Sequence, residues 1–95
     1  MDLREYIRDV PDFPKPGILF KDSTPLLNTP AAFQQAIDLM CIQFRGRPLD
    51  AIAAAEARGF LFAAPLALEL KLPLVPLRKP GKLPYQTICH AYDLE

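Results

Sequence analysis

Eleven prolines among 95 residues, about twice the usual share of ~5%, constrain this chain more than any other feature. Each removes a backbone donor and fixes φ, so helices and strands must stop near it or tolerate a gap. Asp2 to Val10 carries Leu3, Ile7 and Val10 at helical spacing with Asp2 as N-cap, which predicts a short amphipathic helix ended by Pro11. Pro11 to Gly17 contains three residues without an amide hydrogen among its seven and reads as a shaped loop, with Gly17 free to take positive φ. Ile18 to Phe20 is a brief extended piece, and Lys21 to Pro25 returns to loop.

Thr29 followed by Pro30 is a helix start, and Phe33, Ile37, Met40, Cys41 and Phe44 then recur at helical intervals until Gly46 and Pro48 break the pattern. Ala51 to Ala55 is an apolar run bounded by charges, as a buried parallel strand would be. From Gly59 the run FLFAAPLALEL is apolar almost all round, which fits a helix packed on a sheet. Pro65 inside it calls for a kink or for a start near Phe62. Leu72 to Leu77 reads as a second buried strand, with Pro73 at its first position and Pro76 implying a sheet edge or an early end. Thr87 to Leu94 alternates polar and apolar residues, as a hairpin strand does. The sum is an α/β chain with one βαβ unit.

Composition narrows the function classes. Apolar residues make up 51% and charged residues 23%, which describes a globular chain rather than a disordered one. Eleven basic residues balance eleven acidic ones, so no bulk field favours nucleic acid or an anionic membrane, and any anion site has to be local. Cys41 and Cys89 form no CxxC pair, and free thiols are expected. The charged start MDLREYIRDV has no leader-like apolar core, and no run reaches membrane-spanning length, so a cytosolic protein is expected.

In open α/β sheets ligands bind beyond the carboxyl ends of the strands, and both loops at those ends are charged. Glu56-Ala57-Arg58-Gly59 joins a strand to a helix, where free amides and the helix dipole favour an anion and Arg58 adds a fork of donors. By spacing alone, Arg58 pairing with Glu56 at the surface is an equal alternative. Arg78-Lys79-Pro80-Gly81-Lys82 gathers three cations in five residues around a Pro-Gly turn, which suits either an anionic substrate or a solvated turn. Asp93 and Glu95 would share one face of a strand, either as an acid–base pair or as an exposed polar face. His90 has no nucleophile or second ligand near it in sequence and reads as an ordinary polar residue. Tyr85, Tyr92, Phe60 and Phe62 read as packing.

Three ungapped stretches go further. IRDVPDFPKPGILFKDSTPLL at Ile7 to Leu27, EARGFLFAAPLALEL at Glu56 to Leu70, and RKPGKLP followed by YDLE at the end resemble the adenine phosphoribosyltransferases, in that family's order. The resemblance spans nearly the whole chain. It implies the amino-terminal part of a type I phosphoribosyltransferase fold, a parallel sheet flanked by helices, with residues 1–28 as a hood over the purine and residues 29–95 as the first part of the α/β core. It implies that the backbone of Leu19 and Lys21 reads the edge of adenine and that Phe20 stacks on the ring. Glu56, Ala57, Arg58 and Gly59 would form the pyrophosphate loop, with a non-proline cis peptide at Glu56–Ala57. Arg78, Lys79 and Lys82 would approach the pyrophosphate, the neighbouring subunit of a homodimer being one source of such residues. Glu95 would exchange a proton with the purine.

The implied reaction joins adenine to phosphoribosyl pyrophosphate, giving AMP and pyrophosphate, with magnesium carried by the phosphoribosyl pyrophosphate and no metal ligand in this chain. Family members continue past Glu95 into a strand with paired acidic residues and a Thr/Gly-rich loop that binds the ribose 5-phosphate, and no DD-x-x-x-T-G-G-like run occurs here. Smaller departures are Ala54 and Ala63, where the family often has Gly, and Ser23, where Ile is usual. The expectation is therefore a purine-salvage transferase whose phosphoribosyl portion lies elsewhere, with the isolated chain inactive. The rival is a non-catalytic relic or a subunit-association fragment.

Overall fold

A computed structural model describes residues 1–91. The expectations for Tyr92, Asp93, Leu94 and Glu95 lie outside the described residues. The chain divides into two compact units, Met1–Arg47 and Pro48–Glu95.

The first unit opens with a 3-10 turn, Leu3–Tyr6, capped by Asp2, whose carboxylate accepts the Arg4 amide. The helix expected over Asp2 to Val10 is not formed. After the turn the chain becomes strand β1, Arg8–Pro11, which pairs antiparallel with β2, Leu19–Asp22. Local spacing suited a helix, but cross-strand pairing of Val10 with Phe20 and Asp9 with Lys21 prevails. The proline-rich segment is the connection of this hairpin. Asp12 and Gly17 take positive φ, the Asp12 carboxylate accepts the Gly17 amide at 3.0 Å, and the Phe13–Pro14 peptide is cis.

Lys21 and Asp22 belong to β2 rather than to the loop expected there. Asp22 then accepts the Thr24 amide and hydroxyl at 3.0 and 2.9 Å, which opens a one-turn helix α1, Thr24–Leu27. Those two bonds, the Thr24 amide first, and the nearby Arg8 guanidinium hold the Asp22 carboxyl below the usual carboxylate range.

Helix α2, Pro30–Phe44, begins and ends where the sequence predicts. Thr29 occupies the cap position, but its hydroxyl donates to the Pro25 carbonyl at 3.0 Å instead of capping. Ile37 and Cys41 are buried, Phe33, Met40 and Phe44 are half-buried, and Ala32 and Ala36 join the buried set. Against α2 pack α1 and the 3-10 turn.

The second unit is the expected βαβ crossover. β3, Ile52–Ala55, and β4, Leu74–Leu77, are parallel, with Ile52 opposite Leu74 and Ala55 opposite Leu77. Helix α3, Arg58–Leu70, connects them and packs on both. Its buried residues Ala63, Leu66 and Ala67 share one face. Neither strand is buried as expected: β3 alternates half-buried and exposed, and β4 is exposed throughout. One helix on a two-stranded sheet covers a single face, which accounts for the alternation in β3.

The helix starts at Arg58, not near Phe62, and runs through Pro65. Proline leaves the Leu61 carbonyl without an amide partner, and Leu61 lies on the exposed side, where water can take that role. Lys71 in the left-handed region closes α3, its amide bonding the Leu68 carbonyl and the Leu72 amide the Ala67 carbonyl. Pro76 sits inside β4 without breaking the pairing. The Ile52 and Glu56 amides bond the Pro73 and Leu77 carbonyls, so positions 73, 75 and 77 face β3 and Pro76 turns to the outer edge.

Residues 87–91 carry no regular structure, so the strand expected from Thr87 is absent over the described part; Ile88 is fully exposed. Cys41 and Cys89 are free thiols. No helix among the described residues is long and apolar enough to cross a membrane.

Candidate functional site

The candidate residues of the first unit lie on β2. Which of its backbone groups face β1 follows from Pro11. Pro11 opposes Leu19 and has no amide to give, and the neighbouring Ile18 carbonyl accepts the Phe13 amide at 3.1 Å from the β1 side, so Pro11 and Leu19 form a non-hydrogen-bonded pair, and pairs of the two kinds alternate along an antiparallel ladder. Phe20 and Asp22 therefore exchange backbone bonds with β1, while Leu19 and Lys21 turn their amides and carbonyls to the other edge of β2. Among the described residues that sheet has two strands.

Leu19 and Lys21 thus present a donor and acceptor row on one edge, and their side chains share one face. The Lys21 ammonium is tied across the ladder to Asp9. On the opposite face Phe20 is half-buried and meets Phe13 edge to face, with centroids 5.2 Å apart and the rings at 67°. The hairpin, which local spacing concealed, is what creates this edge. A shallow depression lined by Arg8, Thr24, Pro25, Leu27 and Asn28 lies in the same unit and includes none of the sequence-predicted site residues.

The second unit gathers the remaining candidates at the carboxyl ends of its two strands. Glu56-Ala57-Arg58-Gly59 follows β3 directly, and the Glu56–Ala57 peptide is cis, as the resemblance implied. Ala57 is the cap residue of α3 and offers no side-chain oxygen to the first amides of the helix. The cap residue's side chain therefore gives nothing to the amino end of this 13-residue helix, which carries the positive end of its dipole. A Cβ added at Gly59 would lie 3.6 Å from the Ala54 Cβ, so the loop turns close over the end of β3.

The basic loop follows β4. The Lys82 amide bonds the Lys79 carbonyl at 3.2 Å across Pro80 and Gly81, and Gly81 takes φ 82°, the geometry of a type II turn. Lys79 and Lys82 are exposed.

Glu56 joins the two loops. Its carboxylate accepts the Lys79 amide at 2.6 Å and faces the Arg78 Nε at 3.4 Å. The Lys79 amide first, then the Arg78 and Lys79 charges, hold this carboxyl below its usual range despite some desolvation. Glu56 meets Arg78, a residue 22 positions away that spacing does not connect. Tyr85, read as packing, is 83% exposed, whereas Phe60 and Phe62 are half-buried. His90 is exposed.

No family model matches the chain. Among curated proteins, it is similar to the adenine phosphoribosyltransferases of Maridesulfovibrio salexigens, 61% identical over all 95 residues and 56% of that protein, and Roseiflexus castenholzii, 57% identical over all 95 residues and 55% of that protein. Among solved structures, the adenine phosphoribosyltransferase of Thermoanaerobacter pseudethanolicus superposes with a TM-score of 0.91 at 52% identity, covering 96% of this chain and 54% of that one. The Saccharomyces cerevisiae enzyme, solved with adenine and an imino-altritol bisphosphate, gives 0.84 at 41% identity, covering 88% of this chain and 52% of that one. The chain thus spans about half the length of the curated relatives it matches.

Proposed function

We propose that this chain, homologous along its whole length to the amino-terminal half of the adenine phosphoribosyltransferases and sharing their type I fold, carries the adenine and pyrophosphate portions of such an enzyme. The enzyme transfers phosphoribosyl from phosphoribosyl pyrophosphate to adenine, giving AMP and pyrophosphate, in cytoplasmic purine salvage and as a homodimer. The observation that carries the reading is the outward edge of β2, where Leu19 and Lys21 align backbone donors and acceptors beside Phe20. Adenine's amino group donates and its ring nitrogens accept, so such an edge reads it without any charged side chain. The tie of Lys21 to Asp9 supports a backbone role over a side-chain one, and residues 1–28 act as the purine hood.

Negative charge grows on pyrophosphate as it leaves the anomeric carbon, so donors fixed beforehand stabilise the transition state more than the ground state. We assign that role to the Arg58 and Gly59 amides at the start of α3, to the Arg58 guanidinium, and to Lys79 and Lys82, with Glu56, Ala57 and Arg78 shaping the loops. Glu95 exchanges the purine proton. Magnesium would enter as an ion carried by phosphoribosyl pyrophosphate, neutralising phosphate charge.

Calorimetric titration of the chain with adenine and with hypoxanthine tests the reading. Hypoxanthine replaces the amino donor by a carbonyl, so adenine should bind about a hundredfold or more tighter. Equal affinities, or no adenine binding, would overturn it.

A further inference from the structure

A carboxylate sits between the two loops that are proposed to meet pyrophosphate, where an unengaged negative charge would repel the ligand. Glu56 is anchored at both its ends. Its amide donates to the Leu77 carbonyl at 3.1 Å, while its carboxylate takes the Lys79 amide at 2.6 Å and the Arg78 Nε at 3.4 Å. Its side chain is 17% exposed against 36% for Arg78. The charged groups facing it are Arg78 and Lys79 from the loop after β4, with Arg58 two residues further along its own loop.

We propose that Glu56 is a positioning residue, a clasp that fixes the basic loop to the end of β3 before pyrophosphate arrives; this rests on the reading of the preceding subsection. The Lys79 backbone that Glu56 holds is also the acceptor for the Lys82 amide in the type II turn. Fixing residue 79 therefore fixes the position from which Lys82 projects. The Arg78 charge is offset locally, so Arg78 serves the clasp instead of contacting pyrophosphate, and the cations that the fixed loop presents are Lys79 and Lys82. Ordering these side chains in advance lowers the entropy cost of binding.

Two measurements on the full chain test the clasp. In wild type, the Lys79 amide resonance should move as Glu56 titrates, and in Glu56→Gln that movement should vanish. By calorimetry, Glu56→Ala should weaken pyrophosphate binding about tenfold, the equivalent of one hydrogen bond to a charged group. Glu56→Gln should recover most of that loss, because its side-chain carbonyl still accepts the Lys79 amide, and adenine affinity should stay unchanged in both variants. Unchanged or tighter pyrophosphate binding by Glu56→Ala would overturn the proposal, as would a Lys79 amide indifferent to the Glu56 titration. Should wild type fail to bind pyrophosphate, the functional reading fails separately, and the Lys79 resonance alone decides the clasp.

Discussion

Arg58 and Glu56 flank the Ala57 cap of α3, and their opposite charges call for different tests. If Arg58 meets pyrophosphate, Arg58→Ala should weaken pyrophosphate binding about tenfold or more, the loss of a charge-assisted contact, and leave adenine affinity little changed. Equal loss of both in a titration would make Arg58 a structural residue. For Glu56 the pH dependence has a definite sign. Its carboxyl titrates below the usual value in the folded chain, so its stabilising contribution is fully present above the ordinary carboxylate pKa and disappears as pH falls through the depressed one. Wild type should therefore melt above Glu56→Gln at neutral pH, and the gap should close in acid; a gap that widens in acid would contradict this. At this scale the sequence revealed the residues but not their partners. Glu56 and Arg78 meet because parallel pairing brings two strand ends together, and the outward turn of Leu19 and Lys21 depends on Pro11 standing opposite Leu19.

Among the elements, α2 and the β3-α3-β4 crossover were legible because local signals agree there with the tertiary outcome. Thr29-Pro30 opens one helix, and apolar runs of contrasting length separate strand from helix in the other unit. The β1–β2 hairpin was hidden because Leu3, Ile7 and Val10 also fit a helical period, and only pairing across the proline-rich connection decides against it. Burial of β3 and β4 was inferred from their apolar runs, but one helix on a two-stranded sheet leaves the other face open, as the exposed Ala53 and Ala55 show. Pro65 gives a direct test at this scale. Its position in α3 costs an amide bond to the Leu61 carbonyl on the exposed side. Pro65→Ala should thus raise stability by roughly 1–3 kcal/mol in denaturant unfolding. A loss of stability would show that the ring's own packing outweighs the missing bond.

For the molecule as a whole, the candidate adenine edge lies in the first unit and the candidate pyrophosphate loops in the second, while the matched relatives are nearly twice as long. The α/β class was readable from periodicity, but the reaction was readable only through resemblance, since spacing left each charged loop with a solvated alternative. The proposed reading divides the labour: this chain would bind adenine and pyrophosphate, and turnover would need the groups that position the ribose phosphate. The most direct measurement is AMP formation from labelled adenine and phosphoribosyl pyrophosphate, by this 95-residue chain alone and together with a polypeptide matching the remaining part of the Maridesulfovibrio salexigens relative. AMP is expected from the pair and none from the chain by itself. AMP from the chain alone, or none from a pair that associates and binds both substrates, would contradict it.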